Sequence, residues 1–294
     1  MRKLNPGFFT ALGTPLDENG NLVASALVKQ IEMQIEAGAS GLLLLGSMGI
    51  EEAVNMEAYA EAAKVASEAN NGRVALFVGV MDNSISRVKA RLELLRGLKL
   101  DGVVATTPFY CTSTDSELFS FFSSISDASE HPLYLYDLAV VTKVKINFPL
   151  VDSLIKAGKV AGIKTGDIVL VRQLKFAYPD FNVLYSNLDC FDVALKFGFD
   201  KVLDGMFSCT PKNAKGLADA YRQGDFEGVS KYLNNIIWYR DRLLAYPGTD
   251  LLYIYSESMN LLGLDGIYVE DYKYTPMPEL IDSIKADMQK IGEI

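Results

Sequence analysis

Eight short apolar runs recur along this chain, each followed by a stretch with helical period, and that alternation constrains the fold more than any other feature. The runs are Phe8–Leu12, Gly41–Leu45, Val74–Val78, Gly102–Thr106, Leu133–Tyr136, Val160–Lys164, Asn182–Tyr185 and Lys201–Met206. They are largely continuous rather than alternating, the pattern of parallel strands covered on both faces. Between them, Val28, Ile31 and Ile35 share one helical face, as do Val88, Leu92 and Leu95, and Leu118, Phe122 and Ile125. The spacing is that of a βα unit. Eight such units predict an α/β fold, a closed (β/α)8 TIM barrel. An open doubly wound sheet is the competitor, and no Gly-rich dinucleotide fingerprint or phosphate loop follows the first run to favour it.

The 294-residue chain continues well past the eighth run. Phe226, Val229, Leu233 and Ile236 mark an amphipathic helix, and further helical stretches lie near Leu251–Leu262 and Leu280–Ile291. No Pro/Gly/Ser-rich linker separates them. The expected organisation is a barrel over residues 1–223 with C-terminal helices over 224–294, packed on it as one structural unit. With 28 basic and 37 acidic residues the net charge is −9, which argues against nucleic acid or an anionic membrane as partner. Met1 to Thr10 has no apolar stretch suited to a secretory leader, and no run is long enough to span a bilayer. Cys111, Cys190 and Cys209 are too few and too scattered for a disulfide framework or a metal cluster, which suits a reducing, cytoplasmic setting.

In such a barrel the active site forms at the C-terminal ends of the strands. Those ends carry Ser47, Thr107, Tyr110, Tyr136, Asp137, Lys164, Ser186, Asp189 and Asp204. Lys164 closes an apolar strand, so its amine emerges from a dry wall, where desolvation favours the neutral, nucleophilic form. The plainer alternative is a lysine snorkelling to solvent. Tyr136 suits a general acid and base, or equally a core aromatic with one hydroxyl partner. Ser47 suits a ligand contact, the N-cap of a helix over Glu51–Ala69, or both. His131 precedes Pro132 at a strand entrance, on the other end of the barrel, and reads as structural.

Four motifs carry a resemblance. Gly46-Ser47-Met48-Gly49 follows the second strand, Thr107-Pro108-Phe109-Tyr110 the fourth, Leu135-Tyr136-Asp137 ends the fifth, and Gly162-Ile163-Lys164 the sixth. In this order and spacing they resemble the dihydrodipicolinate synthase / N-acetylneuraminate lyase family of class I Schiff-base aldolases, from about Gly7 to Asn213. The resemblance implies that Lys164 condenses with the ketone of pyruvate or of a pyruvate-yielding 2-oxo acid. It implies that Tyr136 shuttles a proton and that Gly46, Ser47 and Met48 hold the carboxylate. Tyr110 matches a tyrosine that reaches a neighbouring subunit's site, which implies a homo-oligomer, a tetramer or dimer. No metal or organic cofactor is implied, since the iminium on the lysine is the electron sink.

The chain departs from the pattern at several positions. Met48 stands where the family has a hydroxyl residue and Ile50 where it has glutamate, leaving Glu51 as the nearest acid. Val141 stands where dihydrodipicolinate-forming members carry an arginine that grips the second substrate's carboxylate, and valine has no such fork. Lyases of the family have an acidic residue at Cys190, so Asp189 is what remains of that sugar-binding pair. Asp137 and Asp204 together predict an unusually acidic pocket, suited to a polyhydroxylated or partly cationic partner unless loop N–H groups engage both carboxylates. The expected function is a pyruvate-dependent lyase or aldolase acting on a 2-keto-3-deoxy-type 2-oxo acid, with Asp137, Asp189 and Asp204 as substrate contacts. The alternatives are a synthase, dehydratase or hydratase using the same lysine, and a catalytically silent 2-oxo acid binder.

Overall fold

The computed structural model describes residues 3–294. Met1 and Arg2, the start of the Met1–Thr10 segment expected not to be a leader, lie outside the described residues. Eight strands close a parallel barrel in chain order: β1 (Gly7–Ala11), β2 (Gly41–Leu44), β3 (Ala75–Gly79), β4 (Gly102–Thr106), β5 (Leu133–Asp137), β6 (Gly162–Thr165), β7 (Asn182–Tyr185) and β8 (Lys201–Asp204). All eight apolar runs are therefore strands, and the (β/α)8 TIM barrel is what forms. One helix covers each strand: α1 (Ala24–Glu36), α2 (Met56–Asn70), α3 (Ile85–Leu94), α4 (Asp115–Ala128), α5 (Phe148–Lys156), α6 (Ile168–Ala177), α7 (Phe191–Lys196) and α8 (Pro211–Arg222). Three more follow, α9 (Phe226–Ala245), α10 (Leu251–Leu261) and α11 (Pro278–Lys290). No helix of the described residues is long and apolar enough to cross a membrane.

Strand alternation divides the core into two clusters. Phe9, Leu43, Phe77, Val104, Tyr134, Tyr136, Leu184 and Leu203 fill the barrel, while their chain neighbours pack outward under the helices. The filling depends on bulk matched to absence of bulk. A Cβ on Gly162 would lie 2.3 Å from the Tyr134 ring. The helices start at side-chain caps: Asn55 accepts from Ala58 N–H, Thr114 and Glu117 form a capping box, and Asp167 accepts from Val169 and Leu170.

Three expectations change. The second helix does not run Glu51–Ala69 with Ser47 as its cap; Glu51–Ala53 is a separate 3₁₀ turn and α2 begins after Asn55. The eighth run splits after Asp204, and Met206 begins a one-turn helix ending at Cys209. On α1 the buried face is Leu27, Gln30, Ile31 and Gln34, with Val28 exposed. Polarity hid that face. Gln30 exchanges hydrogen bonds with both backbone groups of Gly13, and Gln34 accepts from Thr10 Oγ1 and donates to the Phe207 and Ser208 carbonyls. Buried amides with every group engaged pin the exit of β1 to the turn after β8.

Candidate active site

Alternation also decides which strand-end residues share a cavity. In β5 and β6 the register pairs Tyr136 with Lys164 and Asp137 with Thr165. Tyr136 points into the barrel, so Lys164 does too, while Asp137 and Thr165 point outward together. Lys164 is 7% exposed, with Nζ 3.8 Å from the centroid of the Tyr136 ring. The Tyr136 hydroxyl lies 3.0 Å from Ser47 Oγ, and either atom can donate. Lys164, Tyr136, Ser47, Met48, Asp137, Ser186 and Asp204 all line one cavity of about 640 Å³ at the C-terminal mouth.

Ser47 is delivered by a strained loop. Leu45 and Ile50, which flank it, are both left-handed, with φ of 54° and 45°. Such backbone in branched residues costs on the order of 1–3 kcal/mol each and persists where surroundings over-determine it. Between them Gly46 is extended and Ser47–Gly49 form a single 3₁₀ turn. The Gly49 N–H donates to the Gly46 carbonyl, and the Gly49 carbonyl accepts from Thr14 Oγ1 at 2.7 Å. The Ser47 and Met48 N–H groups lie at the open start of the turn, without intrahelical acceptors. The Met48 side chain crosses to β8, where a Cβ on Gly205 would meet its Cγ at 2.7 Å.

Glu51 does not replace the missing acid. It is fully buried behind the loop, its Oε1 2.8 Å from Arg91 Nε in an ion pair not aligned as a hydrogen bond. Burial pushes its carboxyl up to about 8 against the opposing pull of Arg91. Arg91 in turn donates to Asp82 at 2.6 Å and to the Met81 carbonyl at 3.0 Å.

The unusually acidic pocket is corrected by two cations. Asp137 accepts from Thr165 Oγ1 at 2.7 Å, from the Ile146 N–H at 3.2 Å and from Lys145 Nζ. Lys145 also pairs with Asp167 at 3.1 Å. Burial, which lowers the Lys145 ammonium, is outweighed by these two carboxylates, which hold it above the ordinary lysine range. Asp137 borders the cavity, but its carboxylate is engaged. Asp204 remains available: Oδ1 accepts from the Met206 N–H at 2.8 Å, and burial raises its carboxyl despite that bond and the nearby charges of Lys164 and Arg240. Asp189 is exposed, does not line the cavity, and pairs with Arg240 at 2.8 Å. Tyr110 is 89% exposed and stands apart from Lys164 within this chain. Thr107 is a buried strut to Thr142.

The comparisons agree with the four sequence motifs. A family model described as the dihydrodipicolinate synthetase family matches residues 5–292. The chain belongs to this family. It is 30% identical over 246 residues to a 4-hydroxy-tetrahydrodipicolinate synthase of an Exiguobacterium species, covering 81% of this chain and 83% of that one. Its fold matches the Escherichia coli K12 prophage protein YagE, solved in complex with pyruvate, at a TM-score of 0.88 and 20% identity, over 98% of this chain and 99% of that one. It also matches Proteus mirabilis N-acetylneuraminate lyase at a TM-score of 0.88 and 16% identity, over 99% and 100%. This member of the dihydrodipicolinate synthetase family is thus an enzyme, a class I aldolase-type lyase or synthase.

Within that family frame, Val141 is 57% exposed and outside the cavity, and its neighbour Val140 lines the wall instead. Sequence reasoning missed Lys145, Asp167, Arg240 and Leu251 as lining residues. A signal existed for Arg240, which stands four residues after buried Ile236 and three before buried Leu243, on the inward stripe of α9.

Proposed function

We propose that this protein is a pyruvate-dependent Schiff-base lyase that breaks or forms a C–C bond in a 2-keto-3-deoxy-type 2-oxo acid. The observation that carries this is the buried Lys164 amine beside a tyrosine whose hydroxyl is held by Ser47. In the cleavage direction, the Lys164 amine adds to the C2 ketone and water leaves, giving an iminium. Tyr136 takes the proton of the 4-hydroxyl, the C3–C4 bond breaks, and its electron pair moves into the iminium as an enamine while an aldehyde departs. Protonation at C3 and hydrolysis return pyruvate and free Lys164. The Ser47 and Met48 amides and the Ser47 hydroxyl suit the substrate carboxylate. Tyr110, exposed and projecting, suits a role in a neighbouring protomer's site, and the working form proposed here is a homo-oligomer.

A synthase reading draws on the named relatives, but the second carboxylate it must grip finds no open fork. Val141 faces away, and Lys145 is engaged by two aspartates. Incubation with pyruvate followed by borohydride is expected to add the reduced adduct's mass at Lys164, and Lys164→Ala to abolish it. Labelling at another lysine, or none, would overturn the mechanism. A screen of 2-keto-3-deoxy acids for pyruvate release then names the aldehyde half, with a coupled assay on aspartate semialdehyde beside it.

A further inference from the structure

Arg240 is among the polar groups at the cavity that neither the covalent chemistry nor the family motifs account for. It comes from α9, outside the barrel, and its side chain is only 22% exposed. Three of its five N–H donors are engaged: Nε donates to Asp241 Oδ1 at 3.0 Å, and Nη2 contacts that same oxygen at 2.7 Å and Asp189 Oδ1 at 2.8 Å. Nη1, with two hydrogens, has no acceptor among the described residues. Asp204, in the same cavity wall, is within electrostatic range of both Arg240 and Lys164. Its Oδ2 has no donor among the described residues. A donor nitrogen and an acceptor oxygen therefore border the cavity without protein partners.

We propose that Arg240 is a specificity-determining residue that reads the hydroxylated end of the substrate, with Asp189 as the positioning residue that aims it. The inference rests on Lys164 taking the ketone, and it deepens that reading by naming what the rest of the cavity recognises. The class follows from the donors left over. Fork-like recognition of a carboxylate needs parallel N–H groups from two nitrogens. Here both free hydrogens sit on Nη1, and Asp189 and Asp241 offset the guanidinium charge. A terminal carboxylate or phosphate is poorly served. A vicinal diol is well served, because one hydroxyl oxygen accepts from Nη1 and its neighbour donates to Asp204 Oδ2. Asp189 thus acts at one remove, through the arginine it orients, and not as a sugar contact.

Arg240→Met keeps most of the stem and removes the donors. The test compares pyruvate release from 2-keto-3-deoxygluconate with release from 4-hydroxy-2-oxopentanoate, which lacks the distal hydroxyls. Wild type is expected to favour the sugar acid. Arg240→Met is expected to lower kcat/KM for it by ~10–100-fold, the range for losing a hydrogen bond to a charged group, with the truncated substrate within about twofold. Asp189→Asn is expected to shift the same ratio in the same direction by a smaller factor. An equal fall on both substrates, or no fall on either, would overturn the proposal. Borohydride trapping with pyruvate, run on both proteins, separates the two readings. Adduct in both without a change in preference sinks the role of Arg240 alone, whereas no adduct in wild type sinks the lyase mechanism and this inference with it.

Discussion

Tyr136→Phe is the smallest change that isolates a single role in the site, since the ring stays over Lys164 and only the hydroxyl held by Ser47 is lost. Turnover is expected to fall by ~10²–10⁴ while pyruvate adduct formation is less affected. Unchanged turnover would return Tyr136 to the role of a barrel-filling aromatic. Glu51 makes a different test, through pH. Its carboxyl is pushed by burial from an ordinary 4.5 up to about 8, so between those values the folded chain keeps a proton that the unfolded chain has released. Stability attributable to Glu51 therefore declines as pH rises through that window and levels off above it. Glu51→Gln removes the slope. The urea-derived stability difference, wild type minus variant, is expected to drop by roughly 2–4 kcal/mol from pH 5 to pH 9. A difference that does not change with pH would show that Arg91 keeps the carboxylate ionised throughout. Lys164, Tyr136 and Ser47 were legible in the sequence because each adjoins an apolar run that can only be a strand. Glu51 was legible only as the acid nearest Ile50; its burial was not, because the partner Arg91 lies on a different helix.

Among the elements, the exit of β2 is where fold and site are joined most tightly. Leu45 turns left-handed as the strand ends, and its carbonyl lies 1.8 Å from where a Cβ on Gly79 would be. Gly79, the last residue of β3, is thus the space that permits the strained loop carrying Ser47. Gly79→Ala is expected to cost on the order of 1–3 kcal/mol, as overpacking does, and to weaken pyruvate binding by moving Ser47. Thermal unfolding and a pyruvate titration check the two halves. An alanine variant with unchanged melting and unchanged affinity would mean that the loop has another seat. The strands themselves were readable because continuous apolar runs survive any register. Their exits were not, since an extra left-handed residue at Leu45 or an early stop at Asp204 leaves no trace in hydropathy. Period-two alternation could have separated Tyr136 from Asp137, and with it the catalytic candidate from the structural carboxylate.

On the scale of the whole molecule, the question is whether the C-terminal helices are decoration or part of the cooperative fold. α9 buries Val229, Leu233, Ile236, Tyr239 and Leu243, side chains whose removal from water contributes on the order of 10 kcal/mol, comparable to the net stability of a domain. Tyr255 of α10 bonds Ser208 at 2.7 Å in the turn after β8, and Glu293 accepts from the Lys212 and Asn213 N–H groups at the start of α8. The chain's end thus caps a barrel helix, and Arg240 and Leu251 complete the cavity wall. The expectation that these helices pack on the barrel did not extend to their reaching the site, although the apolar stripe of α9 also carries Arg240. Barrel and tail are expected to unfold as one unit. The single tryptophan, Trp238, lies in α9 and reports on the tail alone, while far-UV circular dichroism reports on the whole chain. Their urea transitions are expected to coincide, and a chain cut to residues 1–223 is expected to lack a cooperative transition. Earlier loss of the Trp238 signal, or a truncated chain that still melts sharply, would make the tail an accessory domain and leave Arg240 without a rigid mount.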